Sequence, residues 1–326
     1  MNTYQSLENI CVTIGITCFN AEKTIGRAIL SALSQDWENK EIIIIDDGSS
    51  DNSHKIIEQN ILNKEIIFLK NVINKGTSYS RNKIIEISKG NLICFMDDDD
   101  FSDYQRVTLQ VKEFLSNGYP KKKYMACCTG VRKEYPNGYF RDFLPIGTKG
   151  SLPKGKELAN FLLFYEKKIG IDYGFGLPTC SLMIDKFCFK KYGNFDLNLK
   201  RVEDMDLIIR LSLANVKFLS VKKILVNQTA NKFTNISSQE NYKSEILLIN
   251  KYKNYLIEKG LFKHSIMWCE LRFHYFQRNY ILCFLILTKL ILSNPFRTII
   301  HFSKTSLKRL VHDLKNGSII FPFLKN

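Results

Sequence analysis

The sequence predicts an α/β fold, a doubly wound and mostly parallel central sheet flanked by helices, with an α-helical appendix at its C-terminal end. Three observations carry this. Strand-length apolar runs alternate with helical segments through residues 12–96, the order that builds a parallel sheet. Three of those runs end in polar clusters, Thr17/Asn20, Asp46/Asp47 and Asp97/Asp99, at the edge where open α/β sheets bind ligands. Charge is concentrated at one end: of 47 Lys+Arg and 32 Asp+Glu, residues 241–326 hold 14 and 4, so +10 of the net +15 lies there.

In chain order, the apolar run 12–17 ends in TCFN, and the next segment spaces Ile25, Ile29 and Leu33 by four on one helical face. Residues 41–45 (EIIII) are too continuous to be half exposed and predict a strand covered on both sides. They run into Asp46-Asp47-Gly48-Ser49-Ser50-Asp51, where Ser50 or Asp51 is placed to cap a helix carrying Ile56 and Ile57. Residues 66–69 form a third strand, and Asn74-Lys75-Gly76 a turn before a helix over 77–88. The fourth strand, 92–96 (LICFM), runs into four aspartates, Asp97 to Asp100. Beyond them the pattern is mixed. It holds a strand-like YMACC at 124–128, a loop rich in Gly, Pro and aromatics at 132–153, a helix near 155–168, and a strand at 180–184. A helix at 203–213 with acids in its first turn completes this region. Residues 227–240 are polar and predict a mobile loop, after which helices follow. The chain thus divides into an α/β domain, 1–230, and a basic amphipathic helical region, 231–326.

Composition, 45% hydrophobic and 24% charged, excludes collagen-like, low-complexity and wholly disordered classes. Nine cysteines, with no CxxC pair and no His at zinc spacing, predict reduced thiols. The opening MNTYQSLENI has no basic stretch followed by an apolar one, so no secretory leader is expected. The longest apolar run, 280–292, is thirteen residues with Lys289 inside, short of the ~20 that a spanning helix needs, and predicts a buried or interfacial helix. From Arg272 onward nine basic residues and one acid, Asp313, interleave with apolar ones. That pattern suits helices lying on an anionic membrane leaflet; the alternative is a solvated basic face on an ordinary helical subdomain.

Four consecutive aspartates after a buried strand are costly, because like charges repel. Two of them, Asp97 and Asp99, can point the same way and suit a hard divalent cation, Mn2+ or Mg2+, carrying phosphate oxygens. Asp46-Asp47-Gly48-Ser49 occupies the matching end of the second strand. A carboxylate there can accept from a pyrimidine ring N–H or ribose hydroxyls, and the same residues also make an ordinary turn and helix cap. Arg81, at the start of a helix, can pair with phosphate or with one of these acids, or sit on a solvated helix face. Walker A, GxGxxG, HExxH and GxSxG motifs are absent from the sequence.

IGITCFNAEKTIGRAILSALSQDWENKEIIIIDDGSSDNS, then NKGTSYSRN, then FMDDDD, resembles the family 2 glycosyltransferases of the GT-A, Rossmann-like fold. The resemblance covers residues 10–110 strongly and continues through SLMIDKFCFKKYGNFD and VEDMDLIIRLSL. It implies a nucleotide-sugar donor (a UDP-sugar favoured), a divalent metal at a DxD motif, and inversion at the anomeric carbon. By position it assigns Thr17, Phe19 and Asp47 to the base, with Asp46 assisting. Asn20, Asn74, Gly76, Arg81, Asp97 and Asp98 complete the donor-binding set. Asp97 and Asp99 match the metal-binding pair, Asp99 as the direct ligand, and Asp204 of the Glu203-Asp204 pair matches the catalytic base. The family's usual company adds a lipid-linked or surface-glycan acceptor and a peripheral position on the cytoplasmic face of the inner membrane.

Two departures bear on the chemistry. The QxxRW motif of processive members is absent, Trp37 and Trp268 being the only tryptophans, which favours addition of a single sugar. The late His that helps bind metal or diphosphate in many members has no counterpart in NQTANKFTNISSQEN, where Lys232 or the amides would have to substitute. A nucleotidyltransferase acting on sugar phosphates is a rival reading, but TCFNAEK is not its glycine-rich phosphate loop. A basic nucleic-acid-binding protein is another; an acid-lined cleft repels phosphate and no recognition motif is present, so no nucleic-acid partner is expected.

Overall fold

The structure, a computed structural model, describes residues 10–61, 66–229 and 238–303. The chain forms two compact units. Of the described residues, one comprises 10–61, 66–133, 141–162 and 166–229; the other comprises 134–140, 163–165 and 238–303.

In the first unit β1 (Val12–Cys18), α1 (Ile25–Leu33), β2 (Lys40–Asp46), α2 (Ser53–Ile61), β3 (Ile66–Lys70), α3 (Thr77–Ile87) and β4 (Leu92–Asp97) follow the alternation read from the sequence. Next come β5 (Asp100–Ser102), α4 (Arg106–Ser116), β6 (Met125–Glu134), β7 (Phe140–Phe143) and α5 (Lys156–Phe164). β8 (Leu182–Asp185), α6 (Lys186–Tyr192), α7 (Glu203–Leu213) and β9 (Lys217–Thr229) complete the unit. The strands form one sheet in the order β3-β2-β1-β4-β8-β6-β9-β5, with β7 on β6. Pairings are parallel from β3 through β4; β8 is antiparallel to both β4 and β6, and β5 to β9. The sheet is therefore mixed, and the doubly wound pattern describes its first half.

The reasons are local. Residues 42–45 of β2 are all buried, as a strand covered on both faces requires. Because both faces are apolar, burial alone does not fix the register of β2; its polar end does. Asp47 N donates to Cys18 O and Asn71 N to Asp46 O, so β1, β2 and β3 finish level with one another. At Gly15 an added Cβ would lie 2.5 Å from Ile84 Cγ2, so the glycine is what lets α3 close onto β1.

The sequence differs from the structure mainly past residue 100. YMACC is the start of a strand that runs on to Glu134, and the expected loop at 132–153 contains β7. The helix near 155–168 is confined to Lys156–Phe164, and a 3-10 turn, Thr179–Ser181, precedes β8. The polar stretch 227–240 begins as strand, up to Thr229, and is helix from Ser238; residues 230–237, including Lys232, lie outside the described residues. Arg106, fully buried, holds this half together. It donates to Ser102 Oγ (2.9 Å), Phe95 O (3.0 Å), Leu182 O (3.4 Å) and Gln110 Oε1 (3.3 Å), tying β4, β5 and β8 around the aspartate run.

The second unit contains α8 (Ser238–Lys251), α9 (Lys253–Glu258), α10 (Phe262–Phe276) and α11 (Tyr280–Ser293), with residues 295–303 also helical. α10 and α11 form a hairpin around Trp268, Leu271 and Leu290, packed with Met267, Cys283, Ile286 and Leu287. Asn279 caps α11 by accepting from Leu282 N. Among the described residues no helix is long and apolar enough to cross a membrane. The basic tail from residue 304 lies outside them.

Candidate active site

The C-terminal ends of β2, β1 and β4 lie side by side, with Cys18 opposite Asp46 and Thr17 opposite Asp97. At the β2 end Asp47 organises the next loop. Its Oδ1 accepts from Asn71 Nδ2 (2.7 Å) and Lys75 N (3.0 Å), and its Oδ2 from Gly76 N (2.7 Å). Asn74 is exposed and its Oδ1 also takes Gly76 N. Gly48, at φ +77°, carries the chain beneath this loop: a Cβ there would sit 2.7 Å from the Ile73 carbonyl carbon and 2.9 Å from Asn74 N. Asp46 is fully buried; Oδ1 accepts from Ser49 N (3.0 Å) and Oδ2 has no hydrogen-bond partner.

The first loop locks onto the second. Asn20, in the left-handed region at φ 51°, donates its N–H to Ser49 Oγ and accepts from Ser50 N (2.8 Å) through Oδ1. Thr17 is half-buried and the Phe19 ring exposed, while Phe19 N donates to Asp98 Oδ2 (2.8 Å). Asp98 and Asp99 are the two-residue turn between β4 and β5. Burial, with Asp99 and Asp97 adding to it against the Phe19 amide, pushes the Asp98 carboxyl up to about 7. Burial and then Asp97 raise Asp99, whose carbonyl takes Arg27 Nη2 (2.7 Å).

Arg81 joins the two halves of the site. Buried on the first turns of α3, its guanidinium donates to Asp97 Oδ1 (3.1 Å) and to Glu203 Oε1 (2.7 Å), with the Phe195 ring 5.4 Å away. Burial works against this cation, but Asp97, Glu203 and Asp204 outweigh it and raise its pKa. Asp204 stands in the first turn of α7, with Oδ1 accepting from Met205 N (2.7 Å). Burial and then Glu203 push its carboxyl up to about 6, against Arg81 and the Met205 amide. The preceding Val202 is also left-handed (φ 58°), which turns the chain so that both acids enter the helix start together.

Sequence reasoning missed Asp100 and Cys180. One carboxylate oxygen each from Asp97 and Asp100 and the Cys180 Sγ lie within 4.8 Å of one another; Asp99 is not in this group. Asp100 is buried, Gln228 Nε2 donates to its Oδ2 (3.3 Å), and its Oδ1 has no hydrogen-bond partner. Burial, then Asp97 and Asp99, raise it well above the usual carboxylate range. A hard divalent cation fits the orphaned Asp100 oxygen beside the Asp97 carboxylate. The thiol does not fit: burial, Asp100 and Asp97 raise Cys180, which keeps it protonated and outside a hard ion's preferred donors. The aspartate run was the signal that could have found Asp100; nothing in the sequence links it to a cysteine eighty residues later.

An acid-lined sheet edge, an arginine bridging it to a carboxylate pair and a glycine-supported loop are the features of a transferase site for a phosphate-bearing donor. Residues 13–177, just over half of the chain, match the family described as Glycosyl transferase family 2. The protein belongs to that family and is a glycosyltransferase. It is 26% identical over 275 residues to the UDP-Glc:alpha-D-GlcNAc-diphosphoundecaprenol beta-1,3-glucosyltransferase WfaP of Escherichia coli, covering 80% of this chain and 98% of that one. It is 33% identical over 112 residues to WfgD of Escherichia coli, of the same description, covering 34% of this chain and 44% of that one. The structure of S. aureus TarS 1-349 in complex with UDP-GlcNAc superposes with a TM-score of 0.58 at 16% identity, over 89% of this chain and 83% of that one, a likeness of fold.

Proposed function

We propose that the protein moves one sugar from a nucleoside-diphosphate donor, a UDP-sugar, to a hydroxyl of a lipid-linked glycan or other surface-polysaccharide precursor, with inversion. The observation that carries this is the Arg81 bridge, which couples the Asp97–Asp99 turn to the Glu203-Asp204 pair in one polar cluster. In this reading Asp204 takes the proton of the acceptor hydroxyl as its oxygen bonds to the anomeric carbon and the bond to the diphosphate breaks. A carboxyl raised to about 6 suits a base that must be ionised yet basic near neutrality. Glu203 holds Arg81, and Arg81 steadies Asp97 against the donor's diphosphate. Thr17, Phe19, Asn20, Asp46 and Asp47 bind the nucleoside side, Asp47 by shaping the Asn74–Gly76 turn, and Asp98 positions Phe19 through its amide.

Asp97 and Asp99 would hold Mn2+ or Mg2+, with Asp100 supporting them; a bound divalent cation supplies charge neutralisation at the leaving diphosphate. Support for the donor and acceptor comes from the relatives' descriptions, UDP-Glc and GlcNAc-diphosphoundecaprenol for WfaP and WfgD, and UDP-GlcNAc for TarS. A lipid-borne acceptor also suits the division of labour proposed here. Residues 1–230 catalyse, and the basic region 231–326 meets an anionic membrane surface on the cytoplasmic face of the inner membrane.

The test is Asp204→Asn. It is expected to retain the metal-dependent thermal stabilisation by UDP and to lose transfer from a panel of nucleotide sugars. Near-wild-type transfer by the variant, or a wild-type protein that ignores UDP and binds any oligonucleotide in a salt-sensitive way, would refute the assignment.

A further inference from the structure

α11 is apolar on two opposite faces, and among the described residues only one of them is covered. Cys283, Ile286, Leu287 and Leu290 pack into the hairpin with α10. The opposite face, where a surface helix ordinarily carries charges, presents Ile281, Phe284, Leu285, Ile291 and Leu292 at helical spacing. Ile281 is 76%, Phe284 70% and Leu292 80% exposed. Thr288, exposed in the middle of this face, turns its hydroxyl back to Phe284 O (2.8 Å), so the hydroxyl is spent on the helix's own backbone. The helical residues 295–303 repeat the pattern, with Phe296, Ile299 and Ile300 exposed on one side.

A contiguous apolar surface of this kind marks an interaction site. Its chemistry selects among occupants. The sequence has no acidic residue from 271 to 312, while Arg278 and Lys289 stand exposed at the start and along the edge of α11. Two copies meeting face to face would oppose this acid-free, basic surface with itself, without a carboxylate to relieve it. An anionic lipid leaflet complements both features, acyl chains taking the apolar side chains and headgroups the flanking cations. The fourteen residues of α11 give a helix roughly 21 Å long at ~1.5 Å per residue, too short for a hydrocarbon core of about 30 Å. It can lie in the interface and cannot span it.

We propose that the outer face of α11, continued by residues 295–303, is a monotopic membrane-insertion surface whose attachment is driven by burying these apolar side chains, with Arg278 and Lys289 adding selectivity for anionic lipid. This surface gives the membrane contact proposed above its location, and rests on that reading. Binding through insertion differs from adsorption of a basic tail in one measurable way: it survives salt.

The full-length protein is mixed, without donor, with vesicles of phosphatidylethanolamine and phosphatidylglycerol, and partition is measured by flotation at low salt and at about 1 M NaCl, where the Debye length is about 3 Å. Wild-type protein is expected to lose less than about tenfold in partition at high salt, because three exposed side chains of this size outweigh the screened charges. Ile281→Ser/Phe284→Ser/Leu292→Ser is expected to bind at least about a hundredfold more weakly at both salts. Its circular dichroism and UDP-dependent stabilisation should be unchanged. Arg278→Gln/Lys289→Gln should weaken binding at low salt alone. A Phe284→Trp variant keeps the face apolar and should be quenched by brominated acyl chains. Full release of the wild type at high salt, equal binding by the triple serine variant, or an unquenched Trp variant would each overturn the proposal. So would a wild-type dimer that the serine variant dissociates with no vesicle binding by either. Loss of sugar transfer with vesicle binding intact would strike the proposed function instead, and the reverse result would strike only this surface.

Discussion

Replacing Asp204 by Asn should stabilise the fold at neutral pH while removing transfer. The carboxyl titrates at 3.8 without its surroundings and at about 6 inside the site. The folded state therefore holds that proton more tightly than the unfolded chain. Its contribution to stability is fully present below pH 3.8 and is lost as pH rises through about 6. Above that, keeping the group ionised costs the difference of roughly two units at ~1.4 kcal/mol each, or roughly 3 kcal/mol. Burial is the largest cause and Glu203 the next, while Arg81 and the Met205 amide offset them in part. An asparagine keeps an oxygen for the Met205 N–H and has no charge to desolvate. At about 2–4 °C per kcal/mol for a domain of this size, the variant should melt about 6–12 °C above wild type at pH 8. The gap should shrink to roughly 1 kcal/mol at pH 4.5 and vanish in stronger acid. Thermal melts of both proteins in chelator, across that pH range, make the measurement. A variant no more stable than wild type at pH 8, or a gap indifferent to pH, would refute the view of Asp204 as a carboxylate held ionised against its environment.

Arg81→Met removes the cation that lowers Asp204, so the acidic limb of the transfer-rate profile should move above pH 6. The orphaned Asp97 and Glu203 should cost about 3 kcal/mol in urea unfolding, and an unmoved limb would contradict the bridge. Asp47→Asn places an amide among three N–H donors that now share a carboxylate. It should destabilise the first unit by about 2 kcal/mol and weaken UDP binding in titration calorimetry, and unchanged UDP affinity would detach the 71–76 loop from the donor site. Gly48→Ala combines positive φ with a Cβ against the Ile73 and Asn74 backbone, and should lower stability by at least about 1–3 kcal/mol; a neutral result would mean the loop yields freely.

Legibility in the sequence followed sequence distance. β1 to β4 were readable because each apolar run is local, and Ile42–Ile45 leave no solvent face to mistake. The strand ends are readable for the same reason, which places Thr17, Asp46 and Asp97 at one edge from the sequence alone. What was not readable depends on partners far along the chain. β5 is three residues, too short for any periodicity, and exists because β9, over a hundred residues later, pairs with it. Arg106 looks like a helix-start charge and is fully buried among oxygens of β4, β5 and β8. The Asp47 carboxylate read as a ligand group, and its three N–H partners come from residues 71–76, so it also shapes the loop. α11 was expected to be buried or interfacial, and periodicity could not show that its two apolar faces have different neighbours.

Acids that look alike in the sequence are separated by what surrounds them. Asp51 and Glu157 are turn and helix-start acids. Burial raises each, but hydrogen bonds from Ser53 and from Lys154 and Lys168 outweigh it and bring both below their usual values. Asp185, a helix cap taking Phe187 N, is raised by burial, against the Tyr124 and Phe187 amides and Lys123. Asp98, Asp99, Asp100 and Asp204 are different in kind, since in each a neighbouring carboxylate adds to burial. A fold gains nothing from holding like charges together in a desolvated pocket, and substitution would readily relieve the repulsion. Two chain segments a hundred residues apart converge to create it, and one arginine partly compensates it. This crowding of carboxylates is what motivates the proposal of a divalent cation held with the donor's diphosphate: a cation there would relieve the repulsion that burial intensifies.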